Sequence, residues 1–509
     1  MQSSVPATLP LSSTHISCFP STVLTAIFRN MCVSEPVFLP LKRVDPRYIL
    51  ALVCTTWAKI VQNLPSLWDK VYFQAEDDTL HPPFPLLNQF SLCVHRSRNN
   101  PLNIAFDTVF AGWDFNFVRL VIMPHINRIQ KLRFPIVGDA NITEFLSIDE
   151  GHLDALEFLD IYFANTRDFP TSNIPFGLFR QFGALRTAPK LRTVVLRLWN
   201  SFSPLDIPLP YRQLTSIDLG SSPLTPDILL HILHLCTSIR LEEAFFQVQF
   251  IEPRPTYKPK LPSAVTMQAL RNLRLRLLDP SNDPRFFSLI HFPSLEYLWI
   301  EMSNAFQQWD LSLFTAFLDS SSTSLHELQM SDFARYAFDA EPLYQGNENS
   351  NILRARQHWD INGDVDDIEA LFVMLPNLER LYLPVGIHIH TEILEKLSSC
   401  ALLPRLRLLE LGSDSSSFQI LEMVKRRHLY VLDVLLERAF GQNNIPTEIG
   451  NLSSMHTGLI SSLEHLDMHV PMSNPTEKTM LVRTAQDLAN KFGLRIYIHG
   501  TPILPLSII

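Results

Sequence analysis

Few groupings in this 509-residue sequence have the composition of a reactive or metal-binding site. His388-Ile389-His390 would set two imidazoles on one face of a strand, where a transition metal could use them. No third ligand stands nearby in the sequence, so the pair reads as surface histidines. Asp360, Asn362 and Asp364 offer oxygens at the offsets of a calcium loop. Val365, however, stands where the turn glycine is required and Leu371 where the bidentate glutamate is required, so the stretch reads as a solvated acidic loop. Phosphate-binding glycine loops, the dinucleotide fingerprint, the G-x-S-x-G elbow and H-E-x-x-H are all absent. The six cysteines, Cys18, Cys32, Cys54, Cys93, Cys236 and Cys400, contain no C-x-x-C pair and are too few to frame a chain this long with disulfides. They read as reduced thiols of an intracellular protein. The expectation is a non-enzymatic chain with no cofactor and no metal.

The elements that would position any site must come from a chain that is 46% apolar and 18% charged, a balance that favours folding over a disordered tail or a coiled coil. Glycine is scarce at 15 residues, which disfavours glycine-rich nucleotide folds, while proline (37) and phenylalanine (34) are abundant. The net charge of −9 and the lack of long Lys/Arg runs argue against nucleic acid as the partner. The first seventeen residues are rich in Ser, Thr and Pro and read as disordered. They have no basic start, and Pro6 and Pro10 interrupt any apolar run, so a secretory leader is not expected. Without a secretory route the triplets Asn141-Ile142-Thr143 and Asn451-Leu452-Ser453 read as chance matches to the glycosylation signal. The most apolar stretch, Ile228–Ile239, is short of the roughly 20 residues a membrane span needs. A cytoplasmic or nuclear location without membrane association is expected.

Pattern begins at Phe19. Pro20 is followed by Val23, Leu24, Ile27, Phe28 and Met31, which describe a short amphipathic helix with proline at its start. After a proline-containing loop, Ile49, Leu50, Leu52, Val53, Trp57, Ile60 and Val61 predict one helix over Arg47–Asn63. Leu64-Pro65 ends it, and Ser66-Leu67-Trp68 opens a further turn reaching Val71. Helices in so small a segment carry more apolar surface than they can cover themselves. Either the rest of the chain or a partner must cover it.

The runs FPSTVLTAIFRNMC and YILALVCTTWAKIVQNLPSLWDKVYF resemble the F-box: a Pro-x-x-Leu-x-x-Ile-Phe first helix, Val-Cys-x-x-Trp in the second, and a closing Leu-Trp. Phe90–Asp107, FSLCVHRSRNNPLNIAFD, resembles the segment that follows the F-box in many fungal proteins of this kind. The resemblance implies that residues 18–75 form an F-box-like helical domain that binds a Skp-type adaptor and, through it, a cullin. It implies adaptor contacts from Pro20, Leu24, Ile27, Phe28, Val53, Cys54, Trp57, Leu67 and Trp68. Phe19 stands where the family usually has leucine, Ser21-Thr22 lacks the common acidic residue, and Ala58-Lys59 replaces an arginine.

Farther on, the unit Leu-x-x-Leu-x-Leu recurs. Copies start at Leu191, Leu214, Leu270, Leu295, Leu325, Leu378, Leu406, Leu429 and Leu463, with weaker ones at Ile129 and Leu156. Steps such as Leu191 to Leu214 (23 residues), Leu270 to Leu295 (25) and Leu378 to Leu406 (28) are those of leucine-rich repeats. A short strand with alternating inward leucines cannot bury its face alone, so the copies must stack. With helical stretches between them, residues 76–509 are expected to form an irregular right-handed α/β leucine-rich-repeat solenoid. A polar, acidic insert is expected at 339–367 and a shorter polar loop at 441–458. The alternative is an ordinary α/β domain with leucine-rich strands.

The third, fifth and seventh positions of each repeat point away from the leucine ladder. They include Phe158, Tyr162, Arg197, Glu301, Glu410, His465 and Asp467, and the proposed target contacts Trp199, Arg274, Arg276, Tyr297, Trp299, Arg380 and Tyr382. Aromatics and arginines anchor protein interfaces. The functional expectation is a substrate-recognition subunit of an SCF-type cullin-RING ubiquitin ligase, holding an unidentified target protein on the repeats. The alternatives are a repeat scaffold whose degenerate F-box only caps it, or a hydrolase or transferase with converging polar residues near the strand ends.

Overall fold

The computed structural model describes residues 19–32, 35–74, 83–106, 118–136, 144–145, 147–163, 183–197, 203–236, 239–250, 264–278, 285–302, 311–332, 365–385, 389–412, 417–440, 460–468, 475–498 and 501–503. The leading seventeen residues, Trp199, Asp360, Asn362, Asp364, His388, both glycosylation triplets, the 441–458 loop and nearly all of the expected 339–367 insert lie outside these. The chain divides into two compact units, Met1–Val195 with Asp206–Pro210, and Leu196–Leu205 with Tyr211–Ile509. Both are mixed α/β and built on parallel strands.

The first unit opens with helix α1, Ser21–Cys32, whose first turn is tied down by the Pro20 carbonyl accepting from the amides of Val23 and Leu24. The single helix expected over Arg47–Asn63 is instead two, α2 (Pro46–Val53) and α3 (Thr55–Asn63). Between them Cys54 is fully extended (φ −163°, ψ 167°), and its Sγ accepts from the Trp57 amide at 3.5 Å. Cys54 therefore ends one helix and caps the next, a role that apolar periodicity does not register. Asp45 caps α2 in the ordinary way, Oδ1 accepting from the Arg47 amide at 2.8 Å with Pro46 in the first helical position.

The turn expected at Ser66–Val71 is a single 3-10 turn, Pro65–Leu67, followed by a strand, Lys70–Phe73. That strand pairs in parallel with Val37–Leu39, which lies between α1 and α2, and with Leu102–Phe106. Strands Ile129–Ile136 and Phe158–Phe163 continue the ladder in chain order. The unit thus runs well past residue 75, and strands begin inside the F-box-like segment. Helix α4, Pro83–Ser97, packs Phe90 on Phe73 (ring centroids 5.5 Å apart), which stacks on Phe106 at 4.5 Å.

A buried arginine holds the loop between α1 and α2. The Arg47 guanidinium pairs with Asp45 at 2.9 Å and donates to the carbonyls of Leu67 (2.8 Å) and Glu35 (2.5 Å), with longer bonds to Cys32 and Pro36. The end of α1, the following loop and the 3-10 turn are thereby joined through one side chain whose charge is compensated.

In the second unit, strands Ser216–Leu224, Glu243–Gln249, Asn272–Leu278, Tyr297–Met302, Glu327–Asp332, Arg380–Val385, Leu408–Gly412, His465–Met468 and Arg495–Ile498 lie side by side in chain order, each parallel to the last. Thr501–Ile503 closes the edge antiparallel. Helices such as Pro226–Cys236, Leu311–Leu318, Val365–Val373, Thr391–Ser398 and Pro475–Phe492 lie between strands. The repeat leucines at first, fourth and sixth positions are buried, among them Leu270, Leu273, Leu275, Leu406, Leu409 and Leu411.

One expected repeat is not a strand. Leu429, Leu432 and Val434 lie in the 24-residue helix Ser417–Phe440, with Leu429 and Leu432 exposed. Conversely, the strand Glu243–Gln249, with Ala244, Phe246 and Val248 inward, has no leucine at the repeat positions inside it and was not anticipated.

Candidate functional site

Two surfaces stand out, one on each unit. On the first, α1 carries two adjacent stripes with opposite fates. Leu24, Phe28 and Cys32 face inward and are buried; Phe19, Val23, Ile27 and Met31, spaced by four, are exposed. On α2, Leu50 is buried, whereas Tyr48, Ile49, Leu52 and Val53 are exposed, Leu52 most of all at 68%. Seven large apolar side chains on two short helices, besides Phe19, face solvent; Leu429, Tyr430, Leu432, Leu435 and Leu436 of the helix Ser417–Phe440 do so too.

These facts redistribute the residues expected to bind an adaptor. Leu24, Phe28, Trp57, Leu67 and Trp68 are core residues, a correction to their expected role as contacts. Trp57 is 8% exposed and packs edge to face on Phe28. Trp68 is 2% exposed, donates its indole N–H to the Val61 carbonyl at 2.8 Å, and lies under the Arg96 guanidinium at 4.4 Å. The physical reason is that α1 and α3 cover each other through Phe28 and Trp57, while α4 lays Arg96 over Trp68. Pro20, Ile27 and Val53 are exposed, and Cys54 is half-buried. The exposed Val23, Met31, Ile49 and Leu52 belong to the same apolar pattern as the core, because periodicity marks apolar positions without saying which of two neighbouring stripes is covered.

The second surface is the outward face of the second unit's strands. Register aligns Asp218, Phe245, Arg274, Trp299, Gln329, Tyr382, Glu410, Asp467 and Tyr497 in one row across the ladder. Glu243, Asn272, Tyr297, Glu327 and Arg380 form the row beside it. A shallow depression of about 400 Å³ lies over both rows between Ser216 and Gln329.

The centre of this face is tightly ordered. Arg274 places its guanidinium between the rings of Phe245 (4.3 Å) and Trp299 (3.5 Å) and bonds to Glu301 Oε1 at 2.5 Å. Arg276 takes Glu301 Oε2 at 2.8 Å and reaches the Gly220 carbonyl at 3.3 Å. Trp299 donates its indole N–H to Ser331 Oγ at 2.8 Å. Glu301, expected to point away from the leucine ladder, is 1% exposed because two arginines from the adjacent strand close over it. The strand Ser216–Leu224 bulges between Leu219 and Pro223, and a Cβ on Gly220 would lie 2.1 Å from the Phe245 ring. Glycine is what lets Phe245 lie against Arg274.

Of the expected target contacts, Tyr297 is 43% exposed, and Arg380 is exposed but paired with Glu327 at 3.1 Å. Tyr382 and Trp299 are half-buried, and Arg274 and Arg276 are committed to Glu301. Trp199 is outside the described residues. In the first unit Tyr162 is another correction: it is buried, its hydroxyl donating to the Phe106 carbonyl at 3.2 Å.

No family model and no curated protein matches the chain. Among the described residues no group of three or more His, Cys, Asp or Glu could hold a metal, and no helix is long and apolar enough to cross a membrane. The chemistry these surfaces offer is recognition: apolar stripes on helices, and an aromatic, charged sheet face.

Proposed function

We propose that this chain is the substrate-recognition subunit of an SCF-type cullin-RING ubiquitin ligase, with α1 and α2 binding a Skp-type adaptor and the second unit holding a target protein. The observation that carries this reading is the pair of exposed apolar stripes on the segment that resembles the F-box. Burying one Val, Leu or Ile there contributes about 1.5–3 kcal/mol gross, before the cost of association. The strands of the second unit, parallel and in chain order over buried repeat leucines, support an irregular right-handed leucine-rich-repeat solenoid. On this reading the chain performs no bond chemistry. It holds the target beside a ubiquitin-charged enzyme carried by other subunits and so raises effective concentration.

A second reading has its own support. Trp57 and Trp68 are spent on internal packing, and the strand between α1 and α2 ties the helices to their own unit. Both suit a non-ligase scaffold whose F-box-like helices act only as a cap. Co-purification of the full chain with a Skp-type adaptor separates the two: retention above background supports the ligase reading, and its absence supports the scaffold.

A further inference from the structure

We propose that the outward face of the second unit binds a basic segment of its target, an extended stretch of chain with two Lys or Arg side chains about 14 Å apart, one beside Glu327 next to the Tyr297 ring and the other beside Glu243. This rests on the reading of that unit as a target-binding module and adds the chemistry of what it takes.

Charge is the first argument. The 400 Å³ depression and a smaller neighbouring one of about 170 Å³ share Tyr297 and Glu327. Carboxylates of Asp218, Glu243, Glu296, Glu327 and Glu379 line them, against the guanidiniums of Arg274 and Arg380. Arg380 is engaged by Glu327, and Arg274 shares the single buried carboxylate of Glu301 with Arg276. Glu296 and Glu379 have Arg271 at 3.2 Å and Arg407 at 3.9 Å. Asp218 and Glu243 have no cationic partner among the described residues; Asp218 accepts only from the Gly220 amide, and Glu243 from the Asn272 side chain. Among the described residues the pairs leave a small excess of negative charge on this face, concentrated at Asp218 and Glu243, and a cation complements it.

Geometry is the second. Tyr297 lies in the row Glu243, Asn272, Tyr297, Glu327. With neighbouring strands about 4.8 Å apart, Glu243 and Glu327 are about 14 Å apart across the ladder. An extended peptide advances about 3.4 Å per residue, so residues i and i+4 cover the same distance. A cationic side chain at Glu327, one strand from Tyr297, is also within cation–π reach of the Tyr297 ring. The second, four residues away, reaches Glu243 and Asp218. Arg274 lies between Phe245 and Trp299 and bonds to Glu301 rather than to Asp218 or Glu243.

The test is fluorescence anisotropy of the full-length chain, without adaptor, against a fluorescein-labelled Ser/Gly peptide with two lysines four residues apart, and against its glutamate counterpart. The lysine probe is expected to bind at least about ten-fold more tightly than the glutamate probe and to weaken steeply as salt rises. The double variant Glu243→Gln/Glu327→Gln and the single variant Tyr297→Ala, each shown folded by near-ultraviolet circular dichroism, are each expected to weaken the lysine probe about five-fold or more. Glu477→Gln/Asp487→Asn, an equal charge change on the exposed side of the helix Pro475–Phe492, is expected to leave it unchanged. Equal binding of the two probes, or equal weakening by the remote pair, overturns the proposal. Because no adaptor is present, failure of adaptor binding leaves this result untouched, and failure here leaves the adaptor reading standing.

Discussion

Phe28 of α1 and Trp57 of α3 meet edge to face, their ring centroids 4.8 Å apart at an interplanar angle of 63°. This contact joins two helices that are both needed if the exposed stripes are to be presented at all. Truncating either ring removes an aromatic pair and opens a cavity, so Phe28→Ala or Trp57→Ala is expected to cost about 3–5 kcal/mol. Ile49→Ala, on the exposed side of α2, is expected to change stability by no more than about 0.5 kcal/mol. Hydrogen exchange of α1–α3 amides in the full chain reads both: loss of protection in the first two variants and retention in the third.

Arg47 gives a second prediction. Its removal leaves the buried Asp45 without a counter-charge and strips donors from the carbonyls of Leu67, Glu35, Cys32 and Pro36. Arg47→Ala is expected to destabilise the first unit by about 3–5 kcal/mol. Arg47→Lys restores the charge without the planar fork and is expected to recover only part of that. Denaturant unfolding, followed by limited proteolysis to locate the opened segment, checks the order Arg, Lys, Ala.

Gly220 gives a third. A methyl group there meets the Phe245 ring at 2.1 Å, so Gly220→Ala must displace the ring that supports Arg274. A loss of about 1–3 kcal/mol is expected, with a changed near-ultraviolet dichroism spectrum as Trp299 loses its fixed stacking partner. An unchanged spectrum and unfolding midpoint would show that the ring has room to move aside.

The thiols give a fourth. Burial pushes Cys93 and Cys236 up from 9.0 to about 12. Near pH 8 both therefore stay protonated in the folded chain and are expected to resist iodoacetamide until the chain unfolds. Between pH 9 and 12 the folded chain keeps protons that the unfolded chain loses, so raising the pH through that window lowers stability. Mass spectrometry after timed alkylation, with and without denaturant, measures the protection. Rapid labelling of either residue in the native chain contradicts it.

The strands are legible where leucines alternate, because a period of two with every inward residue apolar leaves little else for the backbone to do. The pattern fails at Leu429, Leu432 and Val434, which match the leucine spacing but lie in a helix. No breaker interrupts Ser417–Phe440, and Glu422 pairs with Lys425 and Arg426 at helical offsets. Glu243–Gln249 was missed because alanine, phenylalanine and valine take the inward positions there. In the candidate sites, the pattern marked Tyr297 and Trp299 as outward but could not show that Arg274 and Arg276 bury Glu301 between them. Nor could it show that Phe28 packs on Trp57 and that Arg96 lies over Trp68. Both depend on residues from other elements, which local periodicity does not contain.

The central claim is that the exposed stripes of α1 and α2 are the surface that binds the adaptor. Calorimetric titration of a Skp-type adaptor into the full-length chain, beside Ile49→Asp/Leu52→Asp with unchanged hydrogen exchange in α1–α3, tests it most directly. The account predicts binding at about micromolar affinity or tighter for the unaltered chain and at least about ten-fold weaker binding for the double variant. No measurable heat with the unaltered chain, or equal affinity for the two proteins, would contradict it.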